Sequence, residues 1–351
     1  MSDTVQPTAE IAGGPPGERA PGSKPRRWLR TAGSLFVRQR EATVFVVAVL
    51  LIIYFGFISS AASAFFTHDN LVVLSQYAAP IMIIAIGEVL LLICGEIDLS
   101  PGFVYTFAPF LMHYLIDFWG VPAIPAILIS LLMGLVVGWV NAFLTVTVGL
   151  PSFITTLGTG FILLGLVLTT SHAFPASIPG PAVGIGHWLG TYAWSEIIWA
   201  VLLTAIFHVV LIRTRWGLYT VATGGNKLGA TEAGINVSRI KYGNFMITAT
   251  LGAFAGLMIA FQTNTIDPSS GGYTPMFYAV TAAVIGGTAM LGGVGSILGA
   301  FLGAAVLALM LDGFTVMGIS ANPLDIILGA AILVAMIANV QLARLREAGR
   351  A

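Results

Sequence analysis

The sequence contains few charged residues. Only 9% of its 351 residues are Asp, Glu, Lys or Arg, whereas 57% are hydrophobic. A soluble domain carries roughly 25% charged residues, because its surface must be hydrated. This shortage of charge excludes a soluble enzyme, a nucleic-acid-binding protein and a disordered scaffold. We therefore predict an all-α, polytopic integral membrane protein.

Several chemical motifs are also missing. The one cysteine, Cys94, excludes an internal disulfide framework and a cysteine-built metal site. No lysine follows a glycine, so the Walker A phosphate-binding motif is absent. The five histidines lack the H-E-x-x-H and H-x-x-E-H spacings of zinc hydrolases. We find no catalytic constellation, and we expect a non-enzymatic chain with no metal site and no cofactor.

Lysine and arginine are absent from two long stretches, 41–212 and 242–343. All fifteen of these residues lie in three windows, 19–40, 213–241 and 344–350. Short loops rich in Lys and Arg stay on the cytoplasmic side of a membrane. Each stretch between two windows must therefore hold an even number of spans.

Polar residues or Pro and Gly divide the two stretches into apolar segments of about the length that a crossing needs, roughly 20 residues. Their number predicts about ten transmembrane helices with both termini in the cytoplasm. One of the two shorter segments, 276–290 or 296–312, is expected to be a half-membrane element. The predicted spans are 42–61, 71–94, 101–118, 122–147, 151–171, 196–212, 244–262, 276–290, 296–312 and 323–340.

This topology divides the chain into three parts. Residues 1–40 are predicted to be a disordered, basic cytoplasmic tail, because their N-terminal half is polar and rich in Gly and Pro. Residues 41–343 form the transmembrane domain, which includes a cytoplasmic loop at 213–243. Residues 344–351 form a second cytoplasmic tail.

An acidic stretch, Gly95-Glu96-Ile97-Asp98-Leu99-Ser100-Pro101-Gly102, follows the second predicted span. Acidic residues at a membrane boundary are costly unless they face water or protein. One interpretation is structural, with Asp98 or Ser100 capping a helix that starts at Pro101. The other interpretation places Asp98 at the inner mouth of a transport pathway. Glu88, inside the preceding span, is either a pathway residue or a structural glutamate.

The basic window 213–241 is longer than a loop that only sets topology needs to be. Gly224-Gly225-Asn226 predicts a turn, and residues 227–234 predict a short helix that ends at Gly234. A short helix presented to the cytosol would suit the docking of a soluble partner, whereas an ordinary basic loop is the simpler interpretation.

The interiors of the predicted spans favour a neutral solute. None of them contains Lys or Arg, so an anionic substrate would depend on helix N-termini or hydroxyl groups. Glycines recur at four-residue spacing, a pattern that lets membrane helices approach closely. These glycines are Gly252 and Gly256, and Gly295, Gly299 and Gly303.

Four motifs occur in order along the chain. They are G-E-I-D-L-S-P-G at 95–102, L-P-S-F-I-T-T-L-G-T at 150–159, G-G-N-K-L-G-A-T-E-A-G-I-N-V-S-R at 224–239, and I-G-G-T-A-M-L-G-G-V-G-S at 285–296. Together they resemble the carbohydrate permeases of ribose/xylose-type ABC importers in bacteria, over about residues 70–340. Glu96 stands where that family more often has a second glycine, which changes the charge beside Asp98.

The resemblance implies a transmembrane subunit that supplies a pathway and no chemistry. Its partners would be a second permease copy or a paralogue, usually as a dimer, and a cytosolic ATP-binding subunit that uses the ATP. A periplasmic or lipid-anchored sugar-binding protein would deliver the substrate. The expected pathway or gate residues are Glu88, Glu96, Asp98, Ser100, Phe153, Thr155 and Thr156. The expected ATPase-coupling residues are Gly224, Gly225, Asn226, Glu232, Gly234, Ile235 and Arg239.

Acidic residues lie at the outer ends of the predicted spans, where the topology places no Lys or Arg. Complementary charge steers protein encounters, so we expect the sugar-binding protein to offer Lys or Arg to some of these acids. The expected docking residues are Asp69, Asp267, Asp312 and Asp325.

The leading prediction is a permease subunit of a binding-protein-dependent ABC importer for a neutral sugar, a monosaccharide or polyol, in the bacterial inner membrane. The close alternative is a permease of the same superfamily for branched-chain amino acids or nucleosides. The alternative from another class is an ion- or proton-coupled secondary transporter, with Glu88 and Asp98 as proton carriers. The sequence does not name the sugar.

Overall fold

The structure, a computed structural model, describes residues 40–319. Beyond residue 319 it describes separate helical positions only, at 326, 327, 329, 330, 333, 334, 337 and 341. Residues 1–39, Asp325, most of the predicted span at 323–340 and residues 344–351 therefore lie outside the described residues.

Helices make up most of the described chain. Seven of them are long and apolar enough to cross a membrane, so the chain is an all-α, multi-pass membrane protein. Two short strands, β1 (Ala176–Ser177) and β2 (Thr265–Ile266), pair in antiparallel fashion. The helices are α1 (Arg40–Ile53), α2 (Ala62–Phe65), α3 (His68–Ile93), α4 (Pro101–Asp117), α5 (Ala123–Ala142), α6 (Ser152–Ser171), α7 (Val183–Gly186), α8 (Ser195–Arg213), α9 (Arg215–Gly225), α10 (Lys227–Glu232), α11 (Val237–Thr263), α12 (Tyr273–Ile285) and α13 (Ile297–Val316).

Single π-helical turns extend α1 over Tyr54–Ile58 and α5 over Phe143–Thr147. With these turns, helices coincide with the first nine predicted spans to within a few residues at most of their ends. The largest difference is at α11, which begins at Val237 rather than at 244. The Asn236 side chain caps this helix by accepting the Arg239 N–H over 2.9 Å. Arg239 and Lys241 therefore belong to the first turns of α11 and not to a loop.

Helices α3 and α11 form the centre of the bundle. In their most apolar stretches 89% of α3 and 72% of α11 are buried, against 22–33% in α1, α5, α6 and α8. A helix that is apolar on all sides must be surrounded by protein or lipid. The two central helices are surrounded by protein, and the outer helices present residues such as Leu132, Ile162 and Ile198 to the surface.

The bundle has two chemically different ends. The end of α8, the helices α9 and α10, and the start of α11 carry five Lys and Arg residues, and we call this end the basic end. The carbonyl oxygen of Ile93, at the end of α3, accepts the Gly293 N–H over 2.8 Å at the same end. The opposite end of the bundle carries Asp69 at the start of α3, Asp117 at the end of α4 and Asp267 in the connection that follows α11.

Helix α4 begins deep inside the bundle. Asn244 of α11 lies beside the last turn of α3, because its Nδ2 donates to the Leu90 carbonyl oxygen over 3.2 Å. Pro101, the first residue of α4, lies beside Gly252, where an added Cβ would be 2.7 Å from the Pro101 carbonyl oxygen. Gly252 is about 12 Å further along α11 than Asn244. Residues 94–100 therefore run back from the basic end into the interior before α4 starts.

Helix α12 is also short. Its 13 residues span about 20 Å, less than the roughly 30 Å of a bilayer core. The chain continues through residues 286–296, where Gly287, Gly292 and Gly293 have φ values of +91°, +92° and +80°. This glycine-rich stretch reaches the end of α3 before α13 begins. The predicted segment 276–290 is thus the partial element among the two short candidates.

Glycines bring the central helices together. A Cβ on Gly256 of α11 would overlap the carbonyl oxygen of Tyr105 on α4, and one on Gly138 of α5 would overlap that of Phe245 on α11. Backbone atoms cannot move aside as a flexible side chain does. The glycine spacing thus serves helix packing in the structure, as the sequence predicts.

Replacing Gly256 tests this packing. We expect Gly256→Ala to destabilise the chain by roughly 1–3 kcal/mol, because the methyl group forces α4 away from α11. The matched control is Gly165→Ala on α6, where an added Cβ has no atom within 4 Å. Alanine favours a helix over glycine by about 1 kcal/mol, so the control should unfold at an unchanged or higher temperature. Thermal unfolding in detergent measures both, and equal losses would contradict this account.

Candidate functional site

An irregular polar segment connects α3 to α4 at residues 94–100, and its last three residues are buried among the helices. Asp98 and Ser100 are both 0% exposed. The Asp98 carboxylate accepts the Ser100 N–H over 2.8 Å and faces the Asn141 amide at 3.4 Å. The same amide donates to the Ser100 hydroxyl over 2.8 Å, and Thr159 donates to the Asn141 carbonyl over 2.8 Å. Four side chains from the segment, α5 and α6 thus form one buried network.

The network shows whether Asp98 or Ser100 caps helix α4, the structural role predicted for them. Helix α4 does start at Pro101, but the Ser100 side chain makes no cap hydrogen bond to it. Asp98 instead binds the N–H of Ser100, just before the helix. Its carboxylate therefore stabilises the bend that leads into α4.

Helix α6 holds the backbone of the segment. The Thr156 hydroxyl accepts the Leu99 N–H over 3.0 Å, and the Ser152 hydroxyl accepts the Ile97 N–H over 3.3 Å. Of the other residues predicted on α6, Thr155 is buried, and its hydroxyl has no partner among the described residues. Phe153 is 51% exposed. Among the three predicted α6 residues, Thr156 is the one that contacts the segment through a hydrogen bond.

Glu88 lies next to this network on α3. Its side chain is 0% exposed, and Asp98 is the charged residue that acts on it. Glu88 therefore lies beside residue Asp98 of the segment in a closed interior, where an acidic side chain is costly to maintain without polar partners.

Glu96, at the basic end of the segment, forms a salt bridge with Lys241 on α11. Both side chains are largely buried, at 14% and 13% exposure. The pair lines a cleft of about 720 Å³ that opens at the basic end. The other lining residues are 145–146, 149–152, Lys227, Thr231 and 234–238.

The predicted coupling residues are spread over three helices and the short connections between them. Gly224 and Gly225 end helix α9, so the predicted turn at these glycines is wrong. The change of direction falls at Asn226, whose side chain accepts the Gly229 N–H over 2.9 Å and caps α10. Helix α10 then ends before Gly234, which has a φ of +80°.

Helix α9 contacts the end of α3 closely. A Cβ on Gly224 would overlap the Ile93 carbonyl oxygen, and only glycine allows this approach. Glu232 and Arg239 are exposed, whereas Ile235 is partly buried and lines the cleft. The predicted coupling residues thus surround one region at the basic end.

Sequence reasoning missed several residues of this region. Asn244 donates to the Leu90 carbonyl and, over 3.2 Å, to the Cys94 sulfur, and it accepts the Trp216 indole N–H over 2.9 Å. Asn141 and Lys241 were not singled out either. An asparagine inside an apolar span is the signal that points to the two amides, because lipid offers it no partner. Nothing in the sequence pairs Lys241 with Glu96.

The predicted docking carboxylates differ in exposure. Asp69 is fully exposed, and Asp267 binds the N–H and the hydroxyl of Ser269. Asp312 is 1% exposed and accepts the Asn70 amide over 2.9 Å, which corrects the expectation of an exposed docking residue. Asp325 lies outside the described residues.

The fold and the enclosed segment define the class: a multi-pass membrane protein with polar groups held at depth in its interior. Residues 70–337 match the profile of a family described as "Branched-chain amino acid transport system / permease component". The match covers more than half of the chain, and the chain belongs to this family of permease components. No solved structure matches the chain.

Named relatives are import permeases. The chain is 36% identical over 283 residues to the xylose/arabinose import permease protein XylH of Sulfolobus acidocaldarius, covering 78% of this chain and 77% of the relative. It is 29% identical over 287 residues to the fructose import permease protein FrcC of Rhizobium meliloti, covering 78% of each. It is 27% identical over 273 residues to the autoinducer 2 import system permease protein LsrC of Salmonella typhi, covering 76% of each.

The salt bridge of Glu96 can be tested by exchange of its charges. We expect Lys241→Ala to destabilise the chain by roughly 1–3 kcal/mol, because Glu96 loses its partner. This loss is smaller than that expected for a fully buried salt bridge, since both side chains keep some exposure. The double variant Glu96→Lys/Lys241→Glu should recover most of this loss. Lys227→Ala, which removes another lysine of the same cleft, is the control. Unfolding in detergent measures all three, and a swap no better than the single variant would contradict a direct interaction.

Proposed function

We propose that the chain is the membrane-spanning permease subunit of a binding-protein-dependent ABC importer that moves a neutral sugar, a monosaccharide or polyol, into the cell. The observation that carries the proposal is the 36% identity to a xylose/arabinose import permease over 78% of the chain. A neutral solute agrees with the interior of the bundle. Within the seven described spans, Lys and Arg occur only near helix ends at the basic end.

We further propose that the chain crosses a bacterial inner membrane ten times with both termini in the cytoplasm. The basic end is then cytoplasmic, since Lys and Arg are retained on that side. The tenth span is 323–340, and the tails 1–40 and 344–351 lie inside. Asp69 and Asp267 then face the periplasm, where they are available to a sugar-binding protein.

The cytosolic ATP-binding subunit is proposed to dock on helices α9 and α10. Leu228 of α10 is 70% exposed, so its side chain is available to a partner. Two contacts link this surface to the buried segment: Gly224 against the end of α3, and Lys241 with Glu96. A displacement of α9 and α10 would therefore reach residues 94–100. ATP is used by the partner, so this chain needs no catalytic residue and no cofactor.

The gate is proposed to be the network around Asp98, Ser100 and Thr156, with Glu88 beside it. These side chains hold residues 97–100 in place by hydrogen bonds that have to break for the segment to move. A second permease copy or a paralogue would complete the translocation unit. Phe153, at the surface of α6, is then available to that second copy.

Two alternatives are distinguished by different observations. The family description names branched-chain amino acids, but an amino acid carries a carboxylate, and the described spans contain no Lys or Arg at depth. Glu88 and Asp98 are both fully buried acidic residues, which is the feature that a proton-coupled transporter would use. Uptake without an ATP-binding subunit, driven by a proton gradient and lost in Glu88→Gln, would establish that alternative.

A pull-down with matched charge reversals tests the proposal. The chain in detergent is captured with ATP-binding subunits encoded beside it. We expect Glu232→Lys on α10 to lower capture at least fivefold, because it reverses an exposed charge on the docking helix. Asp69→Lys makes a comparable reversal at the opposite end and should leave capture unchanged.

Sugar uptake by the complete importer supplies the second readout. Glu232→Lys should lower uptake in proportion to capture, whereas Asp69→Lys should affect only delivery by the sugar-binding protein. Capture of no ATP-binding subunit by the wild-type chain, or equal effects of the two variants on capture, would overturn the proposed docking.

A further inference from the structure

A second cavity, of about 290 Å³, lies on the opposite side of the buried segment from the basic-end cleft. It is enclosed by α4, α6 and the loop 267–272 that precedes α12. Ligand pockets start at about 300 Å³, so the cavity suits one small solute rather than an oligosaccharide. Its lining includes Phe103, Thr106, Leu164, Ser269, Tyr273 and Thr274.

The loop that closes this cavity is tied to α4. The N–H of Gly272 donates to the Gly102 carbonyl oxygen over 2.8 Å. Gly272 has a φ of +85°, a conformation that favours glycine, and a Cβ on Gly271 would overlap the Thr106 hydroxyl. Asp267 fixes the other end of the loop by accepting the Ser269 N–H over 2.8 Å. The wall of the cavity is therefore a defined backbone structure.

The lining combines aromatic rings with hydroxyl groups. The ring of Tyr273 meets that of Phe103 edge-on at 5.0 Å, and it lies 6.0 Å from the ring of Phe161. Thr106, Ser269 and Thr274 add hydroxyl groups, and none of the described lining residues is charged. Aromatic faces bind the C–H faces of a sugar ring, while hydroxyl groups donate to and accept from its hydroxyls. A neutral polyol fits this chemistry better than an ion does.

The cavity lies directly beside the proposed gate, on the same two elements of the chain. Phe103 and Thr106 follow directly after Ser100 on the same chain segment, and Leu164 follows Thr156 on α6. The basic-end cleft touches the other ends of both elements, at Glu96 and Ser152. Between the two cavities, Leu99 is bonded to Thr156, and Gly160 lies against the ring of Phe103. One buried partition thus separates two cavities that lie along α6.

We propose that the cavity formed by α4, α6 and the 267–272 loop is the binding subsite for a neutral monosaccharide that has entered from the periplasmic side, and that the partition at 97–102 closes it from the cytoplasm. This inference rests on the proposed function and assigns the sugar's position within it. The subsite places the sugar against Tyr273, whose ring is positioned by the edge-on contact with Phe103, and binds its hydroxyls through Thr106, Ser269 and Thr274.

Filling the cavity is the first test. In the complete importer, Leu164→Phe places a larger side chain in the cavity, and we expect sugar uptake to fall at least tenfold with capture of the ATP-binding subunit unchanged. Leu166→Phe is the matched control, because Leu166 is on the same helix and 45% exposed at the surface. If Leu164→Phe does not fold, Thr106→Val removes one hydroxyl at constant volume and should raise the KM for uptake severalfold.

Protection from labelling is the second test and does not depend on turnover. Ser269 is exposed at the mouth of the cavity, so the Ser269→Cys variant should react with a maleimide. The wild-type chain, whose one cysteine is the buried Cys94, gives the background. We expect D-xylose, L-arabinose or D-fructose to slow the labelling at least threefold, and L-leucine to have no effect.

The outcomes separate this inference from the proposed function. Wild-type uptake of a sugar that neither protects Ser269→Cys nor is reduced by Leu164→Phe would overturn the subsite and leave the importer intact. Protection by L-leucine in place of the sugars would overturn the sugar assignment. Uptake of L-leucine in place of every sugar, or uptake that needs no ATP-binding subunit, would overturn the proposed function, and the subsite with it.

Discussion

An irregular chain can lie in an apolar interior only if its N–H and C=O groups find partners there. Residues 97–100 are subject to this constraint, and side chains meet it for three of their N–H groups. Hydroxyl groups of α6 accept the N–H groups of Ile97 and Leu99, while Asp98 accepts that of Ser100. Because α4 starts where this segment ends, these hydrogen bonds help to set the depth at which a whole helix begins.

Glycine and polar residues act together at this site. Gly134 and Gly138 bring α5 against the backbone of α11, and Asn141 follows one turn later. The close approach of these helices lets one amide reach both Asp98 and Ser100. Replacing Gly134 or Gly138 would therefore weaken the hydrogen bonds of Asn141, since its amide is within hydrogen-bond distance only while the helices are in contact.

Hydropathy and charge were sufficient to predict where helices occur, because burial in a membrane requires long apolar runs whatever their neighbours are. The same signals did not show that α4 starts in the interior, since Pro101 begins a helix at any depth. Nor did they show that Asp312 is buried against Asn70. Asp98 and Asn141 are 43 residues apart, and their contact depends on how helices are arranged. A pattern that is apolar on every side does not reveal that arrangement.

The 27-residue helix α11 connects the two ends of the molecule. It carries Lys241 near its start, and it is followed by β2 and the 267–272 loop. Midway, Gly252 and Gly256 press it against α4. This helix is about 40 Å long and packs against α3, α5 and α4 in turn. A rotation of about 5° around its middle would move each end by roughly 2 Å in opposite directions. A movement of Lys241 at one end and of the 267–272 loop at the other would therefore be coupled through a single helix.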